Sequence, residues 1–391
     1  MTPILATDPD LMRLALRLAR RGYGATSPNP LVGAVLVKAG RVLGRGWHRR
    51  AGGPHAEIEA LLDAQRRHHS VEGATLYVTL EPCCTQGRTP PCTQAIIEAR
   101  LARVVAGATD PNPRHVGRGF TILRNSGLTV VHGLLAGPCE RLNPAFNHWI
   151  VRRTPFVIVK AAMTLDGKIA TASGESKWIT GERARNFGMK LRYGADAILV
   201  GINTILADNP SLTARSARGR GPEAAGHLLR RIVLDSMART PLSAKVVADE
   251  AAALTTIVVA QSAPKRRVAA LAARVNVLVS PPPLTAARQP PRGPQRINLP
   301  WLLKKLGADD VTSLLVEGGG EVNAAFLFEG LAQRIAFFYA PKILGGRDSR
   351  PAVAGIGALE MDQTLNLGQV QWRRLGPDWL LTARVEKAAM L

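Results

Sequence analysis

Short apolar runs of strand character alternate with helix-length segments along this chain, and that alternation restricts its architecture more than any other feature. In the first half the runs are LVGAVLV (31–37), RVLGRGWH (41–48), ATLYVTL (74–80), RVVAGAT (103–109) and LTVVHGLL (128–135). The segments between them have helical spacing. The first helix has Asp8 as its cap, Pro9 at its first position, an apolar stripe of Leu11, Leu14, Ala15 and Leu18, and Gly22 as its stop. The next begins near His55 and is expected to turn Ile58, Leu61 and Leu62 inward. Others run from about Cys92 to Arg100 and over 117–126. Strands joined by such helices predict an α/β fold with a mostly parallel sheet covered on both faces.

The alternation pauses over 139–153, which places one domain at 1–150 and a second at 151–391. It resumes with FVIVKAAM (156–163), a helix near 182–193, AILVGINTIL (197–206), RIVLDS (231–236), TTIVVA (255–260) and VNVLVS (275–280). SLLVEGG (313–319), a helix at 321–331 and RIAFFYAPKIL (334–344) complete it. Two interruptions, 214–227 and the Pro/Arg-rich 281–296, read as surface loops.

With 391 residues and 46% hydrophobic content, both domains can bury cores. The net charge of +22 raises the question of nucleic acid. Residues 1–150 hold 18 basic and 10 acidic side chains, and the remainder holds 33 and 19, so no basic arm is set apart. A generally basic surface suits anionic small substrates, and no nucleic-acid partner is expected. The opening residues lack a basic and apolar leader, and no apolar run reaches the roughly 20 residues of a membrane span. A cytoplasmic protein without a membrane partner is the expectation.

Three of the four cysteines, Cys83, Cys84 and Cys92, lie close together, which in such a chain points to metal or catalysis before a disulfide. Cys139 stands alone and reads as a small buried apolar residue. The cluster gains meaning from Pro54-His55-Ala56-Glu57 upstream, with Glu81-Pro82-Cys83 and Pro91-Cys92 as the cysteine segments. A His-x-Glu at one helix start and Pro-Cys…Cys at another is the arrangement used by zinc nucleobase deaminases. One imidazole and two thiolates hold Zn²⁺ with a fourth position open for water, whose pKa the metal lowers for attack on an amidine-like ring carbon. His55, Cys83 and Cys92 are thus the predicted ligands. Cys84 competes for the first cysteine's place, and Pro82 favours Cys83. Glu57, beside the metal without binding it, is the predicted catalytic proton carrier.

The gap between the ligand cysteines is eight residues, CTQGRTPP, where the generic signature has two. That insertion, with Gly87-Arg88-Thr89-Pro90-Pro91-Cys92, resembles the deaminase of bacterial riboflavin biosynthesis. So do Thr26-Ser27-Pro28-Asn29-Pro30-Leu31-Val32-Gly33-Ala34 and Asp110-Pro111-Asn112-Pro113…Gly117-Arg118-Gly119. The family usually carries Ser-His or Asn-His after the first cysteine, where this chain has Cys84-Thr85.

The second half carries no G-x-G-x-x-G. It does carry Lys160-Ala161-Ala162-Met163-Thr164-Leu165-Asp166-Gly167-Lys168, Gly174-Glu175-Ser176-Lys177-Trp178, Asp208-Asn209-Pro210-Ser211-Leu212 and Glu317-Gly318-Gly319-Gly320. These resemble the reductase domain of the same pathway, a relative of dihydrofolate reductase, and the likeness runs from about residue 8 to 385. Met163 is bulkier than the family's usual small residue. The resemblance implies a cytidine-deaminase-like three-layer αβα domain followed by a dihydrofolate-reductase-like α/β domain, with Zn²⁺ and NADPH as cofactors and a homo-oligomer, a dimer or larger. It places Ala162, Trp178, Thr204, Asp208, Ser236, Gly319, Gly320, Glu321, Val322, Asn323, Ala324 and Ala325 at the cofactor. Ser176, Arg192, Leu212, Arg215 and Glu317 fall at the phosphoribosyl pyrimidine substrate. Physically, a strand–glycine–helix turn brings bare backbone amides to a dinucleotide's phosphates, and the two arginines can act as charged forks on a ribose phosphate. Lys160 or Asp208 is the candidate proton donor. The runner-up is a zinc nucleoside or nucleic-acid deaminase with an appended domain, for which a short Cys-x-x-Cys would have spoken.

Overall fold

The computed structural model describes residues 7–86, 90–214, 228–283 and 296–386. Contacts divide the chain into two units, Met1–Arg153 and Thr154–Leu391.

In the first unit a sheet of five strands runs in the order β2 (Arg41–Trp47), β1 (Gly33–Lys38), β3 (Thr75–Leu80), β4 (Arg103–Ala108), β5 (Thr129–His132). β1 pairs antiparallel with both β2 and β3, while β3, β4 and β5 are mutually parallel. The expected mostly parallel sheet is therefore half antiparallel here. The cause is the tight turn at Ala39-Gly40, both with positive φ, which returns the chain as a hairpin. Alternate strand residues feed opposite cores. Leu36, Leu76, Val78 and Val104 pack with α2 (Ala56–Arg66), α3 (Cys92–Glu98) and α4 (Arg118–Asn125). Val35, Val37, Tyr77 and Val105 pack on the other face with α1 (Asp8–Ala19) and Cys139 of α5 (Ala136–Glu140). The result is three layers, αβα. Cys139 is 2% exposed, as expected of a small apolar residue.

Two local expectations are corrected. Asp8 does not cap α1; Thr7 does, with its hydroxyl on Asp10 at 2.7 Å. Asp8 instead accepts hydrogen bonds from Tyr77 and Arg103, tying α1 to β3 and β4. The inward face of α2 is Ala56, Ala60 and Ala64, whereas Leu62 is exposed. The neighbouring strand decides this: a Cβ on Gly46 would lie 2.1 Å from the Ala56 carbonyl, and one on Gly44 2.2 Å from that of Ala60. Two glycines let the helix rest on the strand backbone, so small side chains fill the seam.

The second unit is built on nine strands: β6 (Phe156–Thr164), β8 (Ala197–Gly201), β9 (Arg230–Leu234), β10 (Thr255–Ala260), β11 (Asn276–Ser280), β12 (Ser313–Val316), β13 (Arg334–Ala340), β15 (Leu367–Leu375) and β16 (Asp378–Val385). Their order is β11-β10-β9-β8-β12-β6-β13-β16-β15, parallel up to β13, with the last two strands an antiparallel extension. β7 (Lys168–Ala170) and β14 (Arg350–Pro351) form a separate ribbon. Leu199, Val316 and Val159 face α11 (Leu299–Ala308) and α12 (Gly320–Phe328). Ile198, Val200 and Leu315 face α8 (Ile202–Asp208), α9 (Lys245–Ala248) and α10 (Lys265–Ala272) on the other side. Each buried Leu, Ile or Phe contributes about 1.5–3 kcal/mol. The expected strand 197–206 ends at Gly201, the N-cap of α8, where a Cβ would lie 2.9 Å from Val322 of α12 and glycine leaves the room that packing needs. The helix α7 (Glu182–Tyr193) follows the sequence expectation closely.

Candidate active sites

In the first unit, His55 immediately precedes α2 and Glu57 lies in that helix's first turn, while Cys92 opens α3. Cys83 lies on the irregular segment after β3. One ligand atom from each of His55, Cys83 and Cys92 falls within a cluster no wider than 4.8 Å. His55 Nδ1 is 3.5 Å from Cys83 Sγ and 3.3 Å from Cys92 Sγ. Bond lengths of about 2.3 Å to sulfur and 2.0 Å to nitrogen at a tetrahedral centre require about 3.5 Å between such atoms, so the triangle fits Zn²⁺. Cys84 stands outside the triangle. The hydrogen bonds from Cys92 and then His55 outweigh burial and bring the Cys83 thiol down to about 4. A hydrogen bond to Cys83 and then burial push the Cys92 thiol up, and the Cys83 hydrogen bond raises His55.

Glu57 is 4% exposed. Burial, aided by the Cys83 charge, pushes its carboxyl up to about 7, which suits a group that takes and returns a proton near neutrality. His48 supports this corner. Its Nδ1 bonds the Pro54 carbonyl at 2.9 Å, which can only accept, so Nε2 receives Asn29 Nδ2 at 3.1 Å. The ring meets His55 edge-on, with centroids 5.4 Å apart, and burial lowers its pKa. The sequence signals for His48 are weak: it ends a strand and matches no spacing rule.

In the second unit, Ala162 lies near the C-terminal end of β6, and Glu317, Thr204 and Ser236 follow the C-terminal ends of β12, β8 and β9, the usual crevice side of an open parallel sheet. Glu317, one residue beyond β12, accepts from Arg192 of α7 twice, Nε to Oε1 and Nη2 to Oε2, each at 2.9 Å. Lys160 Nζ of β6 reaches Oε2 at 3.4 Å. Arg192 also gives Nη1 to the Thr213 carbonyl at 3.2 Å, so the expected free fork is committed within the protein. Asp208 collects Ser176 Oγ at 3.4 Å and Lys177 Nζ at 3.5 Å, a cluster separate from Glu317. The two proton-donor candidates thus stand in different networks. Thr204 lies on α8, and Ser236, half-buried, lies just beyond β9. Ala162 is half-buried on β6, whereas Met163 is 3% exposed and packs into a small core. Trp178 is 67% exposed, with the Arg185 guanidinium 4.7 Å above its ring. Leu212 is 2% exposed and packs into the core beside α8 and α9. Arg215 lies outside the described residues, as do nearly all of the 214–227 and 281–296 loops.

The turn into α12 is closely packed on both sides of one open glycine. A Cβ on Gly318 would lie 2.5 Å from Val322 and one on Gly320 2.5 Å from the Pro351 carbonyl, whereas Gly319 faces open space. Asn323 Nδ2 donates to the Ala352 carbonyl at 2.8 Å, and its buried Oδ1 has no protein partner among the described residues. Val322, Ala324 and Ala325 mainly pack, and Glu321 is exposed. An open glycine amide at a helix start fits a phosphate.

Residues 5–108 match a family model described as the cytidine and deoxycytidylate deaminase zinc-binding region, and residues 155–381 match the RibD C-terminal domain. The riboflavin biosynthesis protein RibD of Actinobacillus pleuropneumoniae is 43% identical over 376 residues, 96% of this chain and 94% of its own. The chain belongs to the RibD family. The Escherichia coli RibD is 36% identical over 377 residues, covering 95% of this chain and 97% of its own. Among solved structures, Acinetobacter baumannii RibD superposes with a TM-score of 0.84 at 34% identity, covering 97% of this chain and 99% of that one. The Thermotoga maritima diaminohydroxyphosphoribosylaminopyrimidine deaminase/5-amino-6-(5-phosphoribosylamino)uracil reductase gives 0.79 at 33% identity, with the same coverage. The chain is a bifunctional deaminase and reductase of the RibD type, with a cytidine-deaminase-like first domain and a RibD reductase second domain.

Proposed function

We propose that the two units perform consecutive steps on one molecule. The first removes the 2-amino group of 2,5-diamino-6-ribosylamino-4(3H)-pyrimidinone 5′-phosphate by hydrolysis, releasing ammonia. The second reduces the ribosyl side chain with NADPH to give 5-amino-6-ribitylamino-uracil 5′-phosphate. One observation carries the reading: a three-ligand triangle with a buried carboxylate beside it shares a chain with the Glu317-centred crevice.

His55, Cys83 and Cys92 hold Zn²⁺, which when bound supplies the Lewis acid that makes a water acidic enough to attack. Glu57 takes a proton from the attacking water and delivers it to the ring nitrogen, then carries the remaining hydroxyl proton to the amine, which leaves as ammonia. In the second unit NADPH supplies the hydride. The Gly319 amide and the start of α12 would hold its phosphates, and Ala162, Trp178, Thr204, Asp208 and Ser236 would line the rest of it. Glu317, held by Arg192 and Lys160, presents a fixed acceptor to the substrate together with Ser176. We also read the protein as a cytoplasmic homo-oligomer that works on a small anionic molecule. Among the described residues no helix is long and apolar enough to cross a membrane.

The test follows ammonia release and NADPH absorbance separately. Ammonia is expected without NADPH, and NADPH consumption is expected only once ammonia has been released. Consumption that precedes ammonia release overturns the order, and absence of both overturns the reading.

A further inference from the structure

Two of the three triangle residues are placed by helices: His55 at the start of α2 and Cys92 at the start of α3. Cys83 lies on the irregular stretch between β3 and α3, and the start of α3 holds it from one side: the Cys92 N–H reaches its Sγ at 3.3 Å and the Thr93 N–H its carbonyl at 3.2 Å. The residues on either side of Cys83 are held by a second device.

The stretch that carries Cys83 is tied down on both sides, and both ties end on one loop. Two residues before it, the carboxylate of Glu81, 4% exposed, accepts the backbone N–H groups of Asp110 at 3.2 Å, Gly117 at 3.0 Å and Gly119 at 2.9 Å. Two residues after it, Thr85 Oγ1 lies 2.8 Å from His115 Nε2. His115 is itself braced, with Nδ1 3.2 Å from Asp110 Oδ2, while Asp110 Oδ1 accepts the Asn112 N–H at 2.8 Å. A carboxylate only accepts, so Nδ1 carries a proton toward Asp110, which orients the ring and turns Nε2 to the Thr85 hydroxyl. The loop is also pressed against the ligand segment, because a Cβ on Gly119 would lie 2.4 Å from the Pro82 carbonyl.

We infer that residues 110–119 form a two-sided clamp that sets the position of Cys83, with His115 a positioning residue that acts through Thr85 and opposes Glu81. The inference rests on the reading of His55, Cys83 and Cys92 as zinc ligands. Neither His115 nor Thr85 touches the triangle, so their effect passes through the chain to Cys83. Loss of outer partners of a metal ligand typically weakens metal retention by about 10–100-fold.

The experiment uses the full zinc-loaded chain and follows transfer of zinc to a chromogenic chelator, with bound zinc first quantified in the parent protein. His115→Ala and Thr85→Val are each expected to release zinc about tenfold faster. The double variant should release it no faster than either single one, because one relay is broken in each case. Thr85→Ser, which keeps the hydroxyl, should match the parent, and the reductase rate should be unchanged throughout. Thr85→Val keeps shape at an exposed position and serves as the test should His115→Ala fail to fold. Release at the parental rate with only a lower melting temperature of the zinc-free protein would reduce His115 to a fold support and overturn the clamp. Additive effects in the double variant would also overturn it, by showing that the two residues act separately. A parent that binds no zinc would instead defeat the ligand reading itself.

Discussion

Arg192 and Glu317 meet as a two-point ion pair, Nε to Oε1 and Nη2 to Oε2 at 2.9 Å each, joining α7 to the end of β12. Burial alone would raise the Glu317 carboxyl. The Lys160 and Arg192 charges overcome that and hold it at about 2.

Glu317→Gln leaves two cations facing a neutral amide in a site only 10% exposed on the carboxylate side. Breaking such a pair costs about 3–5 kcal/mol. The folded pKa lies below the ordinary 4.5, so this stability is fully present above pH 4.5 and is lost as pH falls toward 2. Melting of parent and variant should therefore differ most at neutral pH and converge only as pH falls to about 2. A gap independent of pH would mean that the carboxylate charge is not its source.

Glu57→Gln keeps the shape of the side chain and removes its proton traffic. Deamination should fall by about 10²–10⁴-fold, with zinc content and NADPH-dependent reduction unchanged. Steady-state rates of the two half-reactions on one preparation decide it. Equal loss of both would point to general damage.

Removal of zinc by a chelator should abolish deamination and lower the melting temperature of the first unit, since the ion binds the folded form only. Reduction of the already deaminated substrate should persist. Calorimetry beside the reductase assay reads both effects, and a reductase that fails with the metal would contradict the assignment of zinc to the first unit.

What was legible in the sequence follows from which constraints are local. His55, Cys83 and Cys92 could be picked out because few residue types bind zinc and their spacing is short, and Pro82 was enough to prefer Cys83 over Cys84. The face of α2 was not legible, because Gly44 and Gly46 on β2 decide it. Lys160, Arg192 and Glu317 could each be marked, yet their mutual pairing joins positions far apart in the chain and appears only when β6, α7 and β12 are brought together. His115 gave no signal at all: a single histidine in a polar loop has no periodicity, and its meaning comes from Asp110 and Thr85.

Gly319 and Gly320 offer a paired test of the cofactor cradle. Gly320→Ala drives a Cβ to 2.5 Å from the Pro351 carbonyl, so the second unit should melt lower. Gly319→Ala meets nothing within 4 Å and has φ of −70°, so the fold should hold. Its methyl should nevertheless crowd the phosphates and raise KM for NADPH by about tenfold, equivalent to about 1.4 kcal/mol. An unchanged KM in Gly319→Ala would remove that amide from the cofactor site.

The central claim, two consecutive reactions on one molecule by one chain, is tested most directly by mass spectrometry of the product. Zinc-loaded protein is incubated with the diaminopyrimidinone ribosyl phosphate, with and without NADPH. Exchange of an amine for oxygen in both reactions, and gain of a hydrogen pair only with NADPH, is the predicted result. Hydrogen gain without the exchange, or an unchanged substrate in both, would contradict it.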